Sequence, residues 1–435
     1  MPYVAASLIV VASVFAAISI FPLSPFDVVY ERDGVKPLLA TEQGEVVEEP
    51  IEEIDTRPVV QHVPLPEQVK TIYMTSCVVG TPDFRTRVTN LVKETEANSI
   101  IIDIKDFSGT LSFAPEHEEW QAAWQNARCG ARDMREFIAS LHEAGIFVIG
   151  RITVFQDPFY TNNHPELAVK RADRVTVWKD YKGLSFIDVG AKPYWDDLVK
   201  LAIDSYNIGF DELNFDYVRY PSDGPMNDIA FTHAEATEYG TDKQANLEAF
   251  FAYLHEKMSD ESLFNKYRHE NTGKEANTPY TSADLFGMTT TNYDDLSIGQ
   301  VQDRAAPYFD FIAPMVYPSH YPDGSFGYGD PNDYPYQIVY YAMKTGVDRM
   351  ASDTTPMQGF KHERIGTSTP AVYKKPTFTA DKFRTWIQDF DYGGDYDAAD
   401  VRAQIQASYD AGVMSWMIWA PSNIYTRAAL KGPGE

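Results

Sequence analysis

The sequence predicts a (β/α)8 barrel, because short β-branched runs alternate with amphipathic helical segments from Val69 onward. Ala-Gly pairs at residues 144–145 and 411–412 are helix stops directly before a new strand. The span of about 350 residues also suits a single barrel. An open, doubly wound sheet would normally begin with a glycine-rich turn, which this sequence does not show. We therefore predict one barrel domain over residues 69–430.

Eight candidate strands follow one another along this domain. In chain order they are Thr71–Thr75, Ser99–Ile104, Ile146–Thr153, Glu212–Tyr217, Ser282–Gly287, Phe311–Tyr317, Thr385–Phe390 and Ser415–Trp419. The seventh has the weakest pattern, and it completes the number that a closed barrel requires. Amphipathic segments between the strands predict helices at Arg132–Ala144, Tyr194–Tyr206, Leu247–Met258, Tyr336–Met343 and Val401–Ala411.

Two segments of different composition precede the predicted barrel. Residues 1–24 contain an uncharged apolar run, Val4–Phe21, that is long enough to cross a bilayer. Because a basic leading region and a good cleavage site are missing, we predict an uncleaved membrane anchor, with a cleaved signal peptide as the alternative. Residues 25–68 are acidic and contain several prolines, which predicts a disordered spacer. Either alternative places the barrel outside the cytoplasm, anchored to the membrane or secreted.

Charge and motif content exclude several classes of protein. The formal net charge of −26 argues against a nucleic-acid partner, because an acidic surface repels phosphate backbones. The sequence contains no P-loop and no GxGxxG fingerprint, so no nucleotide is predicted. Its nine histidines are scattered and no HExxH or CxxC occurs, so we predict neither a metal site nor a cofactor.

The most informative stretch is GFDELNFDYVRYPS at residues 209–222, whose alternation predicts a strand with one polar face. The side chains on that face, which should point into the barrel, are Glu212, Asn214 and Asp216. An unpaired carboxylate inside a core is strongly destabilising. The pattern therefore indicates either a structural ion pair of Asp216 with Arg219 or the floor of an active site.

Polar and aromatic side chains also occur near the ends of the other strands, where barrel enzymes place their chemistry. They are Asp103, Lys105 and Asp106 on or after the second strand, Arg151 on the third, Asp284 on the fifth, Tyr317 at the end of the sixth with His320 after it, Asp389 at the end of the seventh and Trp419 on the eighth. We expect one pocket at the top of the barrel to contain Asp103, Lys105, Arg151, Glu212, Asn214 and Asp216. Carboxylates, cations and aromatics together indicate a carbohydrate site, because sugars offer both hydroxyl groups and C–H faces.

A glycoside hydrolase normally requires two carboxyl groups beside the scissile bond. Asp216 is the first choice for the nucleophile or base, because the cation of Arg219 would keep it ionised. The candidates for the acid are Asp284, Asp389 and Asp106, and Asp284 is preferred. The residues predicted to bind substrate are Asp103, Lys105, Arg151, Glu212, Asn214, Arg219, Tyr317, His320 and Trp419.

Several longer motifs occur in a characteristic order. They are NSIIIDIKDFSG, RITVFQDP with HPELAVK, GFDELNFDYVRYP, FDFIAPMVYPSHY with FGYGDPNDYPYQIV, RTWIQDF and SWMIWAPSNIY. In these motifs the chain resembles the bacterial putative glycosyl hydrolase domain family, a branch of the TIM-barrel glycosidases, over Val69–Tyr425. Thr385 and Ala420 depart from the family, which tends to have Pro and Asn there. The resemblance implies a glycosidase barrel.

We therefore predict a glycoside hydrolase that acts on an extracellular or cell-envelope polysaccharide and contacts the membrane through its N-terminal helix. The alternative is a non-catalytic, tethered carbohydrate-binding barrel, which would need no carboxyl pair at catalytic distance. A metal-dependent deacetylase would require paired histidines near an aspartate, and the sequence contains no HxxxH.

The two cysteines should lie on the same face of the barrel. Cys77 follows the first strand, and Cys129 precedes the helix that begins near Arg132. Outside the cytoplasm such a pair can form a disulfide, and two free, buried thiols are the alternative. A disulfide requires Cα atoms within about 7 Å of each other.

Overall fold

The computed structural model describes residues 59–264, 274 and 276–434. Within them, eight parallel strands close into a barrel, and each strand pairs with its neighbours in chain order. The strands are β1 (Lys70–Met74), β2 (Ser99–Lys105), β3 (Phe147–Thr153), β4 (Glu212–Asp216), β5 (Tyr280–Phe286), β6 (Phe311–Met315), β7 (Thr385–Gln388) and β8 (Trp416–Trp419). This closure confirms the predicted (β/α)8 fold and every predicted strand, the seventh included.

Helices follow the strands and cover the outside of the barrel. They are α1 (Ser76–Val79), α2 (Pro82–Lys93), α3 (Glu118–Gln125), α4 (Met134–Glu143), α5 (Pro158–Asn163), α6 (Lys192–Asn207), α7 (Lys243–Met258), α8 (Gln302–Ala305), α9 (Pro335–Ala351) and α10 (Ala398–Asp410). The five predicted helices correspond to α4, α6, α7, α9 and α10. The largest difference is at α9, which continues for two further turns beyond its predicted end.

Strand alternation divides the core into two layers. Ile100, Ile102 and Ile104 of β2 pack outward into the large apolar cluster beneath the helices. Ile101, between them, points inward and joins a smaller cluster that fills the lower barrel with Phe147 and other side chains. Asp103, Arg151 and Asp216, which also lie on inward faces, are found toward the carboxyl ends of their strands.

Residues 59–68 contact the N-terminal end of the barrel and are not part of an extended spacer. The carboxylate of Asp211, directly before β4, accepts a hydrogen bond from the backbone N–H of Val63 at 3.0 Å. The same carboxylate contacts the rings of His62 at 3.2 Å and His142 at 2.9 Å. The prediction that the spacer extends to residue 68 is therefore wrong for these last residues, because buried polar contacts fix them.

The C-terminal residues also lie at this end of the barrel. Glu96, shortly before β2, donates its backbone N–H to the carbonyl of Lys431 at 3.0 Å. Its side chain accepts a hydrogen bond from the backbone N–H of Lys431 at 3.1 Å. Both ends of the described domain thus leave from the face opposite to the carboxyl ends of the strands.

The predicted apolar segment and the earlier part of the spacer lie outside the described residues. Among the residues that are described, no helix is both long and apolar enough to cross a membrane. The predicted anchor stays a prediction.

A small antiparallel sheet between α9 and β7 was not predicted. Its strands are Thr354–Thr355, Glu363–Ile365 and Val372–Lys374, with the third strand in the middle. The hydroxyl group of Thr355 donates to the carboxylate of Asp303 at 2.7 Å, and Arg349 of α9 pairs with the same carboxylate at 3.0 Å. These buried contacts attach the sheet to the outside of the barrel.

Cys77 and Cys129 form a disulfide, with their Cα atoms 4.6 Å apart. Of the two alternatives for these cysteines, the structure confirms the disulfide. Cys77 lies in α1 after β1, and Cys129 lies in the connection from β2 to α4, so both lie on the side of the barrel where the strands end.

Replacing both cysteines with serine is expected to lower the free energy of unfolding by about 4 kcal/mol. The bridge joins residues 52 positions apart, and a cross-link of that span removes much of the entropy of the unfolded chain. Denaturant unfolding of the parent and the double variant, each with and without reductant, measures the difference. A parent whose stability does not change on reduction would contradict the expectation.

Candidate active site

A cleft crosses the carboxyl ends of the strands and consists of two adjoining cavities. The first cavity, of about 300 Å³, lies over β4 to β8 and is lined by Asp216, Asp284, Tyr317, His320 and Trp386, among others. The second, of about 440 Å³, lies over β1 to β4 and is lined by Tyr73, Asp103 and Gln156, among others. The residues that line both cavities are Arg151, Tyr217, Arg219 and Trp419. A chain-like ligand could therefore occupy both cavities at once.

Asp216 is the last residue of β4 and lines the first cavity, as the strand alternation predicts. Its Oδ2 accepts hydrogen bonds from Nε and Nη2 of Arg151, at 3.1 and 2.5 Å. Its Oδ1 accepts a hydrogen bond from the backbone N–H of Tyr217 at 2.5 Å. Charge-assisted bonds of this kind stabilise the negatively charged carboxylate. The cation that pairs with Asp216 is thus Arg151, and the predicted pairing with Arg219 is wrong.

Asp284 of β5 lies in a different environment from Asp216. Its side chain is 1% exposed, and its Oδ1 accepts hydrogen bonds from Asn214 Nδ2 at 2.9 Å and Trp386 Nε1 at 2.7 Å. Its Oδ2 has no hydrogen-bond partner among the described residues. Burial, assisted by the negative charge of Asp216, raises the pKa of Asp284 well above that of an ordinary carboxyl group. A buried carboxyl group with a raised pKa is suited to act as a general acid.

The two carboxyl groups lie at a distance compatible with glycoside hydrolysis. Nε of Arg151 is 3.1 Å from Oδ2 of Asp216 and 3.9 Å from Oδ2 of Asp284, so these two oxygens are at most about 7 Å apart. Retaining glycosidases separate their carboxyl groups by about 5 Å and inverting ones by about 6.5 to 9.5 Å. The upper limit of about 7 Å between the Asp216 and Asp284 oxygens is compatible with either arrangement.

Arg151 is held in place by a second carboxylate on its other side. Asp103 accepts a hydrogen bond from Nη1 of Arg151 at 2.6 Å and one from the hydroxyl group of Tyr73 at 2.5 Å. Burial raises the pKa of Asp103 to about 6, although Arg151 and Tyr73 both favour its ionised form. Burial acts to lower the pKa of Arg151, but Asp216 and Asp103 raise it well above its ordinary value. Arg151 is thus a fixed cation between two carboxylates.

Aromatic rings form one wall of the first cavity. Trp419 is half-buried, and its ring centroid lies 5.4 Å from that of Tyr317. His320 lies 5.3 Å from Tyr317, and burial lowers the pKa of His320, which favours the neutral imidazole. A partly exposed aromatic surface of this kind suits the C–H face of a sugar ring.

Lys105 does not point into the cleft, and the prediction that it does is wrong. The pairing of β2 with β3 shifts between Asp103 and Lys105, so that Lys105 aligns with the outward-facing Ile152. Its Nζ donates to the carboxylate of Asp157 at 2.5 Å and to the hydroxyl group of Tyr194 at 2.6 Å. This β-bulge reverses the direction that regular alternation assigns to Lys105.

Glu212 points inward, as predicted, but it does not reach the cleft. It begins β4, about 13 Å below Asp216 along the strand. Its Oε1 accepts hydrogen bonds from Arg384 at 2.5 Å and from Ser282 at 2.6 Å. Asn214, halfway up the strand, is also buried, and it supports Asp284 from below. Of the six residues expected to share one pocket, Asp103, Arg151 and Asp216 line the cleft.

Glu212→Gln is expected to lower the free energy of unfolding by about 3 to 5 kcal/mol, because Arg384 then stays buried without its counter-charge. The double variant Glu212→Gln/Arg384→Met should recover much of this loss, because it removes both charges. Denaturant unfolding of the parent and both variants measures the effect. If the Glu212→Gln variant keeps its stability but loses activity, the structural role is contradicted and Glu212 is again a candidate for substrate binding.

The two remaining candidates for the acid lie outside the residues that line the cleft. Asp389 accepts hydrogen bonds from the backbone N–H of Thr426 at 2.8 Å and from its hydroxyl group at 2.7 Å. Asp106 accepts hydrogen bonds from the hydroxyl groups of Ser76 at 3.0 Å and Ser108 at 2.5 Å. Both carboxylates connect loops at the top of the barrel, whereas Asp284 is among the residues that line the first cavity.

Sequence reasoning missed several residues that build the cleft, among them Tyr73, Tyr217 and Trp386. Trp386 lies in RTWIQDF, and the alternation of that weak strand would have placed it on the inner face. Tyr217 directly follows Asp216 and has a positive φ of 52°, which is uncommon for a residue other than glycine. In the sequence, the run YVRYP directly after β4 is the pattern that could have indicated this part of the cleft.

A closed (β/α)8 barrel with an unlike carboxyl pair and an aromatic wall at the carboxyl ends of its strands has the architecture of a glycosidase. The chain belongs to the putative glycosyl hydrolase domain family, whose sequence profile matches residues 71–425. This match confirms the family that the sequence motifs indicated. No curated protein sequence matches the chain.

Solved structures with a similar fold include glycoside hydrolases. The glycoside hydrolase domain of PgaB (BpsB) from Bordetella bronchiseptica has 13% identity and a TM-score of 0.52, covering 86% of this chain and 99% of that one. Alpha-L-fucosidase isoenzyme 2 from Paenibacillus thiaminolyticus has 11% identity and a TM-score of 0.50, covering 83% and 47%. A hypothetical protein from Ruminiclostridium thermocellum has 28% identity and a TM-score of 0.37, covering 43% and 92%. The first two similarities support the fold.

Proposed function

We propose that the protein is a glycoside hydrolase that cleaves an extracellular or cell-envelope polysaccharide, with Asp284 as general acid and Asp216 as nucleophile or base. The observation that carries the proposal is a pair of carboxyl groups in unlike environments within about 7 Å of each other. One, Asp216, accepts two hydrogen bonds from the guanidinium group of Arg151. The other is buried, which favours its proton. Membership of the glycosyl hydrolase family supports the same reaction class.

In this mechanism the proton of Asp284 moves to the glycosidic oxygen while the bond between that oxygen and the anomeric carbon breaks. The charge of Asp216 stabilises the oxocarbenium-like transition state. In a retaining reaction, Asp216 bonds to the anomeric carbon, and the Asp284 carboxylate then takes a proton from the water that hydrolyses this bond. In an inverting reaction, Asp216 takes the proton from water directly.

The other cleft residues have supporting roles in the proposal. Arg151 keeps Asp216 in one orientation, because two of its nitrogens bind the same carboxylate oxygen. Trp419 and Tyr317 offer a stacking surface beside the carboxyl pair. Asp103 and Gln156 line the second cavity, where they can accept or donate hydrogen bonds to further sugar hydroxyl groups.

Release of reducing sugar tests this proposal. The parent and an Asp284→Asn variant would be incubated with peptidoglycan, amino-sugar polymers, and α- and β-glucans. We expect at least one polymer to release reducing ends with the parent and far fewer with the variant. Equal release by both proteins would contradict the assignment of Asp284. Binding to a glycan without any release would support the non-catalytic carbohydrate-binding barrel.

We also propose that the folded domain works outside the cytoplasm, either anchored to the membrane or secreted. The disulfide between Cys77 and Cys129 supports an oxidising location, and the apolar run Val4–Phe21 supports a membrane-directed segment. Protease treatment of intact cells, followed by fractionation, tests the location. A chain that stays protected in the cytoplasmic fraction with both thiols reduced would contradict it.

A further inference from the structure

Arg219 occupies a central position in the cleft that the proposed mechanism does not use. It lies three residues after Asp216 and lines both cavities, although only 9% of it is exposed. Its guanidinium carbon lies 4.8 Å from the ring centroid of Tyr217 and 4.9 Å from that of Phe286. These rings hold the guanidinium group at the junction of the two cavities.

Arg219 differs from the other deeply buried arginines of the described residues. Arg304, Arg349 and Arg384 each form a salt bridge with a carboxylate, at 2.6, 3.0 and 2.5 Å respectively. Within the same part of the chain, no carboxylate oxygen lies within 4.0 Å of a nitrogen of Arg219. Since a buried charge is normally paired, this exception points to a partner that the protein itself does not supply.

The hydrogen bonds of Arg219 leave most of its donors available. Nη1 donates to the carbonyl of Tyr220 at 3.0 Å and to the hydroxyl group of Ser222 at 3.1 Å. Nε and Nη2 make no hydrogen bond to the described residues, and neither is among the buried atoms that lack a partner. Burial lowers the pKa of Arg219, as expected for a cation with too little opposite charge around it. The Nε–Nη2 edge of an arginine matches the two oxygens of a carboxylate.

We propose that Arg219 is a specificity-determining residue that pairs with the carboxylate of an acidic sugar unit, so that the substrate is a carboxylated glycan. The inference rests on the proposed glycoside hydrolase function and adds the substrate class. The acidic unit binds where the two cavities meet, beside Asp216. Because Arg151 is already neutralised by Asp103 and Asp216, Arg219 supplies the charge that is free to recognise the ligand.

Binding to matched pairs of oligosaccharides tests the inference without requiring turnover. Each pair would consist of an acidic oligosaccharide and its carboxyl-reduced form, prepared from galacturonate oligomers, glucuronate-containing oligomers and N-acetylmuramate-containing glycan strands. Titration calorimetry on the full chain gives the affinities. We expect the acidic member of at least one pair to bind tenfold or more tightly than its reduced form, which corresponds to about 1.4 kcal/mol. No preference in any pair, including no binding at all, would overturn the inference.

Variants separate charge recognition from a structural role. Arg219→Gln should reduce the acidic preference to within threefold while the neutral member binds as before. Arg364→Gln removes an exposed arginine of the small antiparallel sheet, which lines neither cavity, and should leave the preference intact. Arg219→Lys keeps the charge without the planar edge and should keep part of the preference. Equal weakening of both members by Arg219→Gln, or a preference that survives it, would overturn the inference.

The outcomes also distinguish this inference from the proposed function. Acidic preference without cleavage of any glycan would leave the recognition standing and contradict the hydrolase. Cleavage of a neutral glycan without any acidic preference would contradict the recognition alone.

Discussion

Asp216→Asn is expected to abolish most turnover, by about 10³-fold or more, while the protein stays folded. Asparagine keeps the shape of the side chain but removes the charge that attacks the sugar, activates water or stabilises the transition state. A loss of this size corresponds to about 4 kcal/mol of activation free energy. Arg151 keeps its bond to Asp103, so the melting temperature should change little. Turnover and melting measured on the same preparation check both statements.

Asp389→Asn is the matched control for this variant. Asp389 is also a carboxylate at the end of a barrel strand, but Thr426 binds it. The control should keep its activity per folded molecule. The prediction would be contradicted if Asp216→Asn lost several kcal/mol of stability and kept its turnover, because Asp216 would then be only a structural partner of Arg151.

Asp284→Asn is expected to lower turnover of the polysaccharide by about 10² to 10⁴-fold, because the variant has no proton to give to the leaving oxygen. Aryl glycosides with an acidic phenol need little protonation, so the variant should lose much less activity on 4-nitrophenyl glycosides. A comparison of both substrate types measures this difference. Equal losses on both would contradict the role of Asp284 as the acid.

The pH dependence of the parent follows from the raised pKa of Asp284. Only the protonated form can act as the acid, so activity should fall as the pH rises through that pKa. The folded pKa lies above the unfolded value, so this carboxyl group should make its full contribution to stability below the unfolded pKa and lose it as the pH rises through the folded one. The Asp284→Asn variant should show neither the loss of activity nor the loss of stability at alkaline pH. Its residual activity and its denaturant unfolding, each measured over the same pH range as for the parent, check this expectation.

The barrel fold and the inward direction of the Asp216 side chain could be predicted from the sequence. Successive side chains of a strand point to opposite faces, so the pattern of polar and apolar residues determines which face each residue is on. It was not sufficient for Lys105, since one bulge in β2 reverses the face. Alternation also does not tell how far along the barrel axis a side chain lies. Glu212 is therefore on the same face of β4 as Asp216, but it does not reach the cleft. The pairing of Asp216 with Arg151 connects neighbouring strands far apart in the chain, whereas the predicted partner, Arg219, was simply near in sequence.

Three features of the cleft and its surroundings gave weak sequence signals. Trp386 lies in a strand of only four residues, too short for its alternation to stand out. The sheet between α9 and β7 consists of strands of two and three residues, without apolar periodicity. The raised pKa of Asp284 arises from burial by side chains of several strands, which no local pattern records.

Because Val63 and Lys431 both lie at the N-terminal end of the barrel, a fusion partner or a solid support joined at either end of the described domain would lie away from the cleft. A bead or surface carrying the domain by one end would present the carboxyl ends of the strands outward. Such an orientation suits polymers too large or too insoluble to diffuse, since the domain can be brought to the polymer. Loops at the carboxyl ends of the strands, in contrast, are poor places for labels or insertions.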